Sequence, residues 1–378
     1  MKRALMYASV ASIIDVFNKN NIKILQELGY TVDIACNFQE GSMTSDERVA
    51  KFQKELENDE ISYFDIPIPR SVTKWKVIME VYQITKKIVK NNYQIVHCHS
   101  PIGAAICRWA FRKSNTKVIY TAHGFHFYSG APLINWLVYY PIERLLAKYT
   151  DILITINKED YQRAKSFSCK KVEYIPGVGV DTYHIENLQV DKIMKRKELG
   201  LSESDIVLIS VGELNDNKNQ KVIIEALNLL NNKNVKYVIC GKGINENMLK
   251  ASVSSYNLGD QVYFLGFRND IYELLKMSDI FVFPSYREGL SLSLIEAKTA
   301  GLPCVVSDIR GNRDLIVNDQ EGYLVDPDNI EGFAKKIKEL ITDRTLMQRF
   351  GNNNKQGVQE YSSSYVNNIM WSIYKEIL

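Results

Sequence analysis

DIFVFPSYREGLSLSLIEAKTAGLPCVVSD, residues 279–308, reads as one strand-loop-helix-strand unit. The apolar run Ile280 to Phe283 leads into Pro284 and Ser285, and a polar loop then carries Glu288 and Gly289. Residues 290–300 are amphipathic at helical spacing, and Gly301 stops them before the next apolar run, Cys304 to Ser307. In such a unit the carboxyl end of the strand and the free N–H groups of the helix start face a crevice suited to an anion such as a diphosphate. Glu296 lies about 12 Å of helix rise beyond Glu288. Carboxylates that far apart cannot share a proton, but they can grip two ends of a polyhydroxylated ligand. The plainer reading makes Glu288 a helix-start acid favoured by the macrodipole and Glu296 a solvated surface residue.

Working outward, strands and helices alternate along the whole chain, which implies parallel sheets. Strands are expected at 4–8, 31–36, 61–66, 94–98, 117–121, 151–156 and 172–175, with helices that include 13–28, 72–90, 104–111 and 132–148. The second half repeats the plan with strands at 206–211, 236–240, 262–264, 280–283, 304–307 and 322–325. This gives an α/β fold of two Rossmann-like, doubly wound parallel-sheet domains. The expected boundaries are 1–180 and 181–366, with a loop-like hinge at 176–188 and a last helix, 367–378, returning to the first domain.

Composition sets the class. A chain of 378 residues is comfortable as two domains, and 46% apolar with 24% charged residues is globular usage. A net charge of +3 carries no nucleic-acid footprint. Six scattered cysteines without a C-x-x-C pair read as reduced, mostly buried thiols of a cytosolic protein. Lys2 and Arg3 before an apolar stretch imitate a signal peptide, but Asp15 interrupts it, and a first strand turning into a helix is the better reading.

The segment PSYREG, the two glutamates and IEAKTAGLPCVVS together resemble the E-x7-E signature of the family 4 retaining glycosyltransferases. The resemblance implies a GT-B fold, with the ligand cleft between the two halves. It implies that Glu288 contacts the transferred sugar, that Glu296 accepts from the ribose hydroxyls, and that the N–H groups of Gly289, Leu290 and Ser291 face the sugar or the β-phosphate. VGELNDNKNQ, residues 211–220, is similar to the family's G-R-L-x-x-x-K turn: Lys218 matches its lysine, while Glu213 stands where its arginine would be. A carboxylate repels a diphosphate, so another cation replaces the arginine or Glu213 faces elsewhere. Arg268 is the candidate replacement, though it could equally contact the nucleoside. Gly241 and Gly243, in GKG, resemble the glycine turn of the nucleotide pocket, but a tight turn accounts for them as well.

Four of the five histidines sit in HCHS, residues 97–100, and TAHGFHF, residues 121–127, at the ends of two successive strands. Their spacing fits no common zinc pattern, and Cys98 would point to the opposite face of its strand, so no metal site is expected. His123 matches the family histidine that approaches the donor sugar and steadies positive charge as the glycosidic bond breaks. His99 and His126 are placed on the acceptor side, and His97 reads as a satisfied core histidine. No D-x-D run is placed like a metal-diphosphate site, so no cofactor is expected and Lys218, a helix start and the candidate Arg268 must neutralise the leaving group.

TAHGFHFYSGAPLINWLVYYPIERLLAKYTDILITINKEDYQRA resembles a narrower group that builds capsule, exopolysaccharide, O-antigen or protein-linked glycans on a polyprenyl-diphosphate carrier. The implied partners are a nucleotide sugar, with UDP expected, and a lipid-linked saccharide, with no nucleic acid. Residues 71–92, with Trp75, Ile78, Val81, Tyr82, Ile88 and Val89 among five lysines, can lie on an anionic bilayer or can simply cover the sheet. The expected location is the cytoplasm, at the inner face of the membrane. Two other functions share the fold: a sugar-nucleotide 2-epimerase, which would not need the TAHGFHF stretch, and a noncatalytic partner subunit, which would not need both glutamates, Lys218 and His123.

Overall fold

The structure, a computed structural model, describes residues 2–42 and 44–377. Its first sheet has strands β1 (Lys2–Val10), β2 (Tyr30–Asn37), β3 (Tyr63–Asp65), β4 (Ile95–His99), β5 (Lys117–Ala122), β6 (Ile152–Thr155) and β7 (Lys171–Tyr174). They lie in the order β3-β2-β1-β4-β5-β6-β7. The second sheet has β8 (Ile206–Val211), β9 (Val235–Cys240), β10 (Val262–Gly266), β11 (Ile280–Phe283), β12 (Cys304–Ser307) and β13 (Gly322–Val325), in the order β10-β9-β8-β11-β12-β13. The pairings are parallel throughout both sheets. Helices cover both faces, so the central strands are apolar and buried along their length: Ala4 to Ala8 in β1 and Ile280 to Phe283 in β11 are at most 2% exposed. Strand order reverses between β1 and β4 in one sheet and between β8 and β11 in the other, and the carboxyl ends beside these reversals are where such sheets bind ligands.

The chain divides into two compact units, one holding residues up to Val178 and from Val366 onward, the other Gly179–Tyr365. The first has its own core, with Tyr7, Val96, Phe111, Tyr120 and Phe127 at its centre, and the second another around Ile223, Tyr237, Val282 and Phe333. The end of the chain joins the first core through helix Ser363–Glu376, whose Tyr374 is fully buried.

Two local features differ from the sequence reading, and a third settles between readings left open there. The helix expected over 13–28 is two, Ala11–Phe17 and Lys19–Glu27, because the buried Asn18 turns its amide onto the Ile13 carbonyl at 2.9 Å and leaves helical geometry. The hinge is not all loop: Thr182–Asn187 is a helix, started by the Asp181 carboxylate accepting from the His184 N–H. Helix Trp75–Val89 covers the sheet, with Ile78, Val81, Tyr82, Ile88 and Val89 packed on the core. Its Trp75 and Met79 stay 64% and 49% exposed, and a more exposed apolar face lies on helix Leu133–Leu146, where Leu133, Ile134 and Leu137 are 80%, 62% and 74% exposed. That helix's one acid, Glu143, turns inward onto the buried Arg108 at 2.7 Å, which leaves Arg144 as the charge on its outer side. No helix among the described residues is long and apolar enough to cross a membrane.

Candidate active site

In the second unit Lys218 follows β8, Gly241 and Gly243 follow β9, Arg268 follows β10, and Glu288 to Ser291 with Glu296 follow β11. Lys218 closes a short turn, Asp216–Lys218, that Asn215 caps by accepting from the Lys218 N–H at 3.1 Å. Its ammonium donates to Oε1 of Glu288 at 2.6 Å and lies 4.6 Å from the centroid of the Phe283 ring. Two backbone-directed bonds tie the same turn to the loop after β11: the Tyr286 N–H donates to the Asn217 carbonyl at 2.8 Å, and the Asn217 amide to the Arg287 carbonyl at 2.9 Å. The helix begins at Leu292, two residues later than its pattern suggested, because Ser291 is its N-cap, accepting from Leu294 N–H. The N–H groups of Gly289, Leu290 and Ser291 make no hydrogen bond among the described residues, which leaves them available to an anion at a helix start.

Glu296, about one turn into the helix, is partly buried rather than solvated. Burial pushes its carboxyl up to about 7, against the pull of the Tyr272 hydroxyl, which donates to Oε1 at 3.4 Å. The Tyr272 ring is itself held edge-on to His184 at 5.7 Å.

Arg268 is not an uncommitted replacement for the missing arginine. Its Nε and Nη2 fork the Asp270 carboxylate at 2.7 and 2.6 Å, and Lys195 adds a further contact at 2.6 Å. Glu213, at the arginine's place, is exposed and accepts from the Asn215 amide at 2.9 Å. The sequence reading passed over Arg310, which starts helix Arg310–Leu315 and donates from Nε to the Glu288 carbonyl at 3.2 Å. Gly311 allows this approach, since a Cβ there would meet the Gly289 oxygen at 2.5 Å. Gly241 and Gly243 have a similar cause: added Cβ atoms would stand 1.9 Å from the Gly212 oxygen and 2.2 Å from the Leu214 oxygen. Close chain packing accounts for both glycines without a ligand.

In the first unit, His97 and His99 point to one side of β4, as residues two apart on a strand must. His97 is fully buried, with Nδ1 2.7 Å from the Tyr374 hydroxyl and Nε2 2.8 Å from the Thr121 hydroxyl. Burial drives its pKa down to about 3, so it is a neutral core residue. His99, expected on the acceptor side, lines the same small cavity as His123. It is 1% exposed and sits behind His123, with Nδ1 3.2 Å from His123 Nε2 and Nε2 3.2 Å from the Met6 sulfur. His123 lies past the end of β5, partly buried, beside a small cavity lined by Phe17, Asn18, Thr121 and Asn367. Burial lowers its pKa to about 4, so at neutral pH the ring is uncharged and does not repel positive charge that develops on a substrate. His126 stacks on Tyr139 with centroids 4.5 Å apart. No group of three or more His, Cys, Asp or Glu among the described residues could hold a metal ion.

Comparison with known proteins fits this layout. The family model for glycosyl transferases group 1 matches residues 191–357, and the glycosyl transferase 4-like model matches residues 8–157. The provisionally named glycosyltransferase EpsD of Bacillus subtilis (strain 168) is 35% identical over 99% of this chain and 96% of its own. The UDP-Gal:alpha-D-GlcNAc-diphosphoundecaprenol alpha-1,3-galactosyltransferase of Escherichia coli is 33% identical over 76% of this chain and 77% of its own. Anabaena HepE, solved in complex with UDP and glucose, shares the fold with a TM-score of 0.78 over 100% of both chains at 17% identity. With its two parallel-sheet units and its relatives along nearly the full length, the chain belongs to the group 1 glycosyltransferases and has the GT-B fold.

Proposed function

We propose that this glycosyltransferase moves a hexose or N-acetylhexosamine, with retention, from a UDP-sugar to a polyprenyl-diphosphate-linked saccharide in cell-surface polysaccharide synthesis. The observation that carries the reading is the pairing of Lys218 with Glu288 beside the unbonded N–H groups of Gly289, Leu290 and Ser291. A diphosphate satisfies those donors and takes the Lys218 ammonium as its counter-charge. Glu288, released, is then able to accept from hydroxyls of the transferred sugar, and Glu296 from those of the ribose. Arg310 adds a second cation beside the same loop. As the glycosidic bond breaks, negative charge grows on the diphosphate, where these fixed donors stabilise it more than in the ground state. The acceptor hydroxyl attacks the same face of the sugar and passes its proton to the departing phosphate.

The Escherichia coli relative's name specifies a UDP-sugar and a lipid diphosphate acceptor, and the Anabaena structure holds UDP, which supports the donor and acceptor classes. Contact with the bilayer is proposed through helix Leu133–Leu146, whose exposed leucines and Arg144 suit an anionic interface. The place of action is the inner face of the cell membrane. Incubation with labelled UDP-sugars, with and without a polyprenyl-diphosphate saccharide, tests the proposal. Label appearing in lipid, with the anomeric configuration kept, is expected; a labelled sugar that only interconverts, or no reaction with any UDP-sugar, overturns it.

A further inference from the structure

We propose that Met6, acting through His99, fixes the tautomer of His123, with the proton on Nε2 and a bare lone pair on Nδ1. The inference rests on the transferase reading only in taking His123 to face substrate. Register brings the three groups together: β1 pairs with β4 so that Met6 stands beside His97, and the Met6 sulfur reaches Nε2 of the next histidine on that face, His99, at 3.2 Å. A thioether has no hydrogen to give, so it can only accept. His99 Nε2 therefore carries the ring proton, since a lone pair there would face the sulfur's own lone pairs at contact distance.

A neutral imidazole has one donor and one acceptor nitrogen, so His99 Nδ1 is the acceptor. Its partner, His123 Nε2 at 3.2 Å, must then donate. What remains on His123 is Nδ1, which makes no hydrogen bond among the described residues. A tautomer set in this way is common where one ring nitrogen is held by a second group and the other works. The consequence is specific to substrate chemistry. Nδ1 of His123 accepts a hydrogen bond from a sugar hydroxyl; it does not donate one to a phosphate oxygen.

Met6 and His99 are thus positioning residues, and the readout is the proton's location. Nitrogen-15 labelling of the histidines in the full chain, with long-range nitrogen–proton correlation, shows which ring nitrogen carries hydrogen. Resonances are assigned by their loss in His99→Asn and His123→Ala. Both His99 and His123 are expected as the Nε2–H form. Met6→Leu keeps the core volume but removes the acceptor, and His123 should become a mixture of tautomers. A wild-type His123 with Nδ1–H, or populations unchanged by Met6→Leu, overturns the proposal. These spectra need no activity, so failure of the transferase reading would not obscure them. In the transfer assay, His99→Leu should lower kcat about tenfold with donor KM unchanged, and His99→Asn, whose side-chain oxygen can accept near the place of Nδ1, should recover most of it. Full activity with leucine and loss with asparagine would make His99 a packing residue and end the argument.

Discussion

The ammonium of Lys218 stands 2.6 Å from the Glu288 carboxylate, so the cation assigned to the diphosphate is already paired before any ligand arrives. Each partner restrains the other, and the two substitutions should therefore act in opposite directions on the donor. Glu288→Gln frees the lysine and should leave donor KM equal or lower while kcat falls by about tenfold or more. Lys218→Ala should raise donor KM by a similar factor, because the leaving group loses its point charge. Steady-state kinetics on both variants decide this, and a higher donor KM in Glu288→Gln would refute the exchange of partners.

Charge supplied by the protein should also make added metal dispensable. Transfer is expected to persist in the presence of EDTA, at a rate within about twofold of that with magnesium, because in the proposed function Lys218, Arg310 and the helix start supply the charge that faces the leaving group. An assay in which chelation abolishes transfer and manganese restores it would move the neutralising role from lysine to metal.

Glu296 gives a pH dependence with a defined sign. Burial holds its carboxyl near 7, above the ordinary 4.5. Its ionisation therefore opposes folding: the cost is absent below about 4.5 and complete above about 7. The stability of the native chain relative to Glu296→Gln should fall as pH rises across that window, as melting curves at matched ionic strength would show. Donor binding should move the other way if the ribose hydroxyls donate to the carboxylate, with donor KM falling as pH rises through 7 and a flat profile in Glu296→Gln. A UDP-sugar diphosphate does not titrate in this range, which keeps the profile interpretable.

Much of this was legible in the sequence, and the errors share a cause. The strands stand out because each is an apolar run ended by polar or turn residues, and Glu288, Glu296 and Lys218 because their signals are local. The Lys218–Glu288 bond joins residues 70 apart in sequence, beyond any local pattern. Arg268 was proposed as a cation without its partner Asp270, only two positions on, since a motif-based search for a cation does not ask what already neutralises it. His99 was assigned to the acceptor side from its strand-end position, and the sequence did not show that it is 1% exposed and bonded to both His123 and Met6. Apolar spacing marked both helices 72–90 and 132–148 without saying which face water touches. Only packing separates the covered stripe of Trp75–Val89 from the bare one of Leu133–Leu146.

That bare stripe yields the membrane prediction. Replacing Leu133 and Leu137 together with aspartate places charge where the side chains are 80% and 74% exposed, so the melting temperature should change little. Flotation with vesicles containing anionic phospholipid should fall by about tenfold or more, as burial of two leucines is worth roughly 1.5–3 kcal/mol each. Equal flotation of variant and native chain would remove this helix from the membrane contact.

His97 and His123 lie within one strand-end cluster but should respond to substitution in contrasting ways. His97 has both ring nitrogens bonded and no exposed surface, so His97→Ala leaves the Tyr374 and Thr121 hydroxyls without their partner in a buried cavity. Losses of about 2–4 kcal/mol are usual for such a deletion. His123 has one bonded nitrogen and borders a cavity, so His123→Ala should cost about 1 kcal/mol of stability. Its transfer rate, in contrast, should drop about a hundredfold, equivalent to roughly 2.7 kcal/mol of transition-state stabilisation. Acid should expose the same division. The pKa of His97 is depressed to about 3, so its neutral form contributes stability that is present above the ordinary 6.5 and lost as pH falls toward 3. Melting curves between pH 7 and 4 should therefore show a shallower decline in His97→Ala than in the native chain. A single-turnover assay beside each curve completes the test: a His123→Ala variant that loses stability and activity in proportion would turn His123 into a packing residue and move the catalytic assignment to His99 or His126.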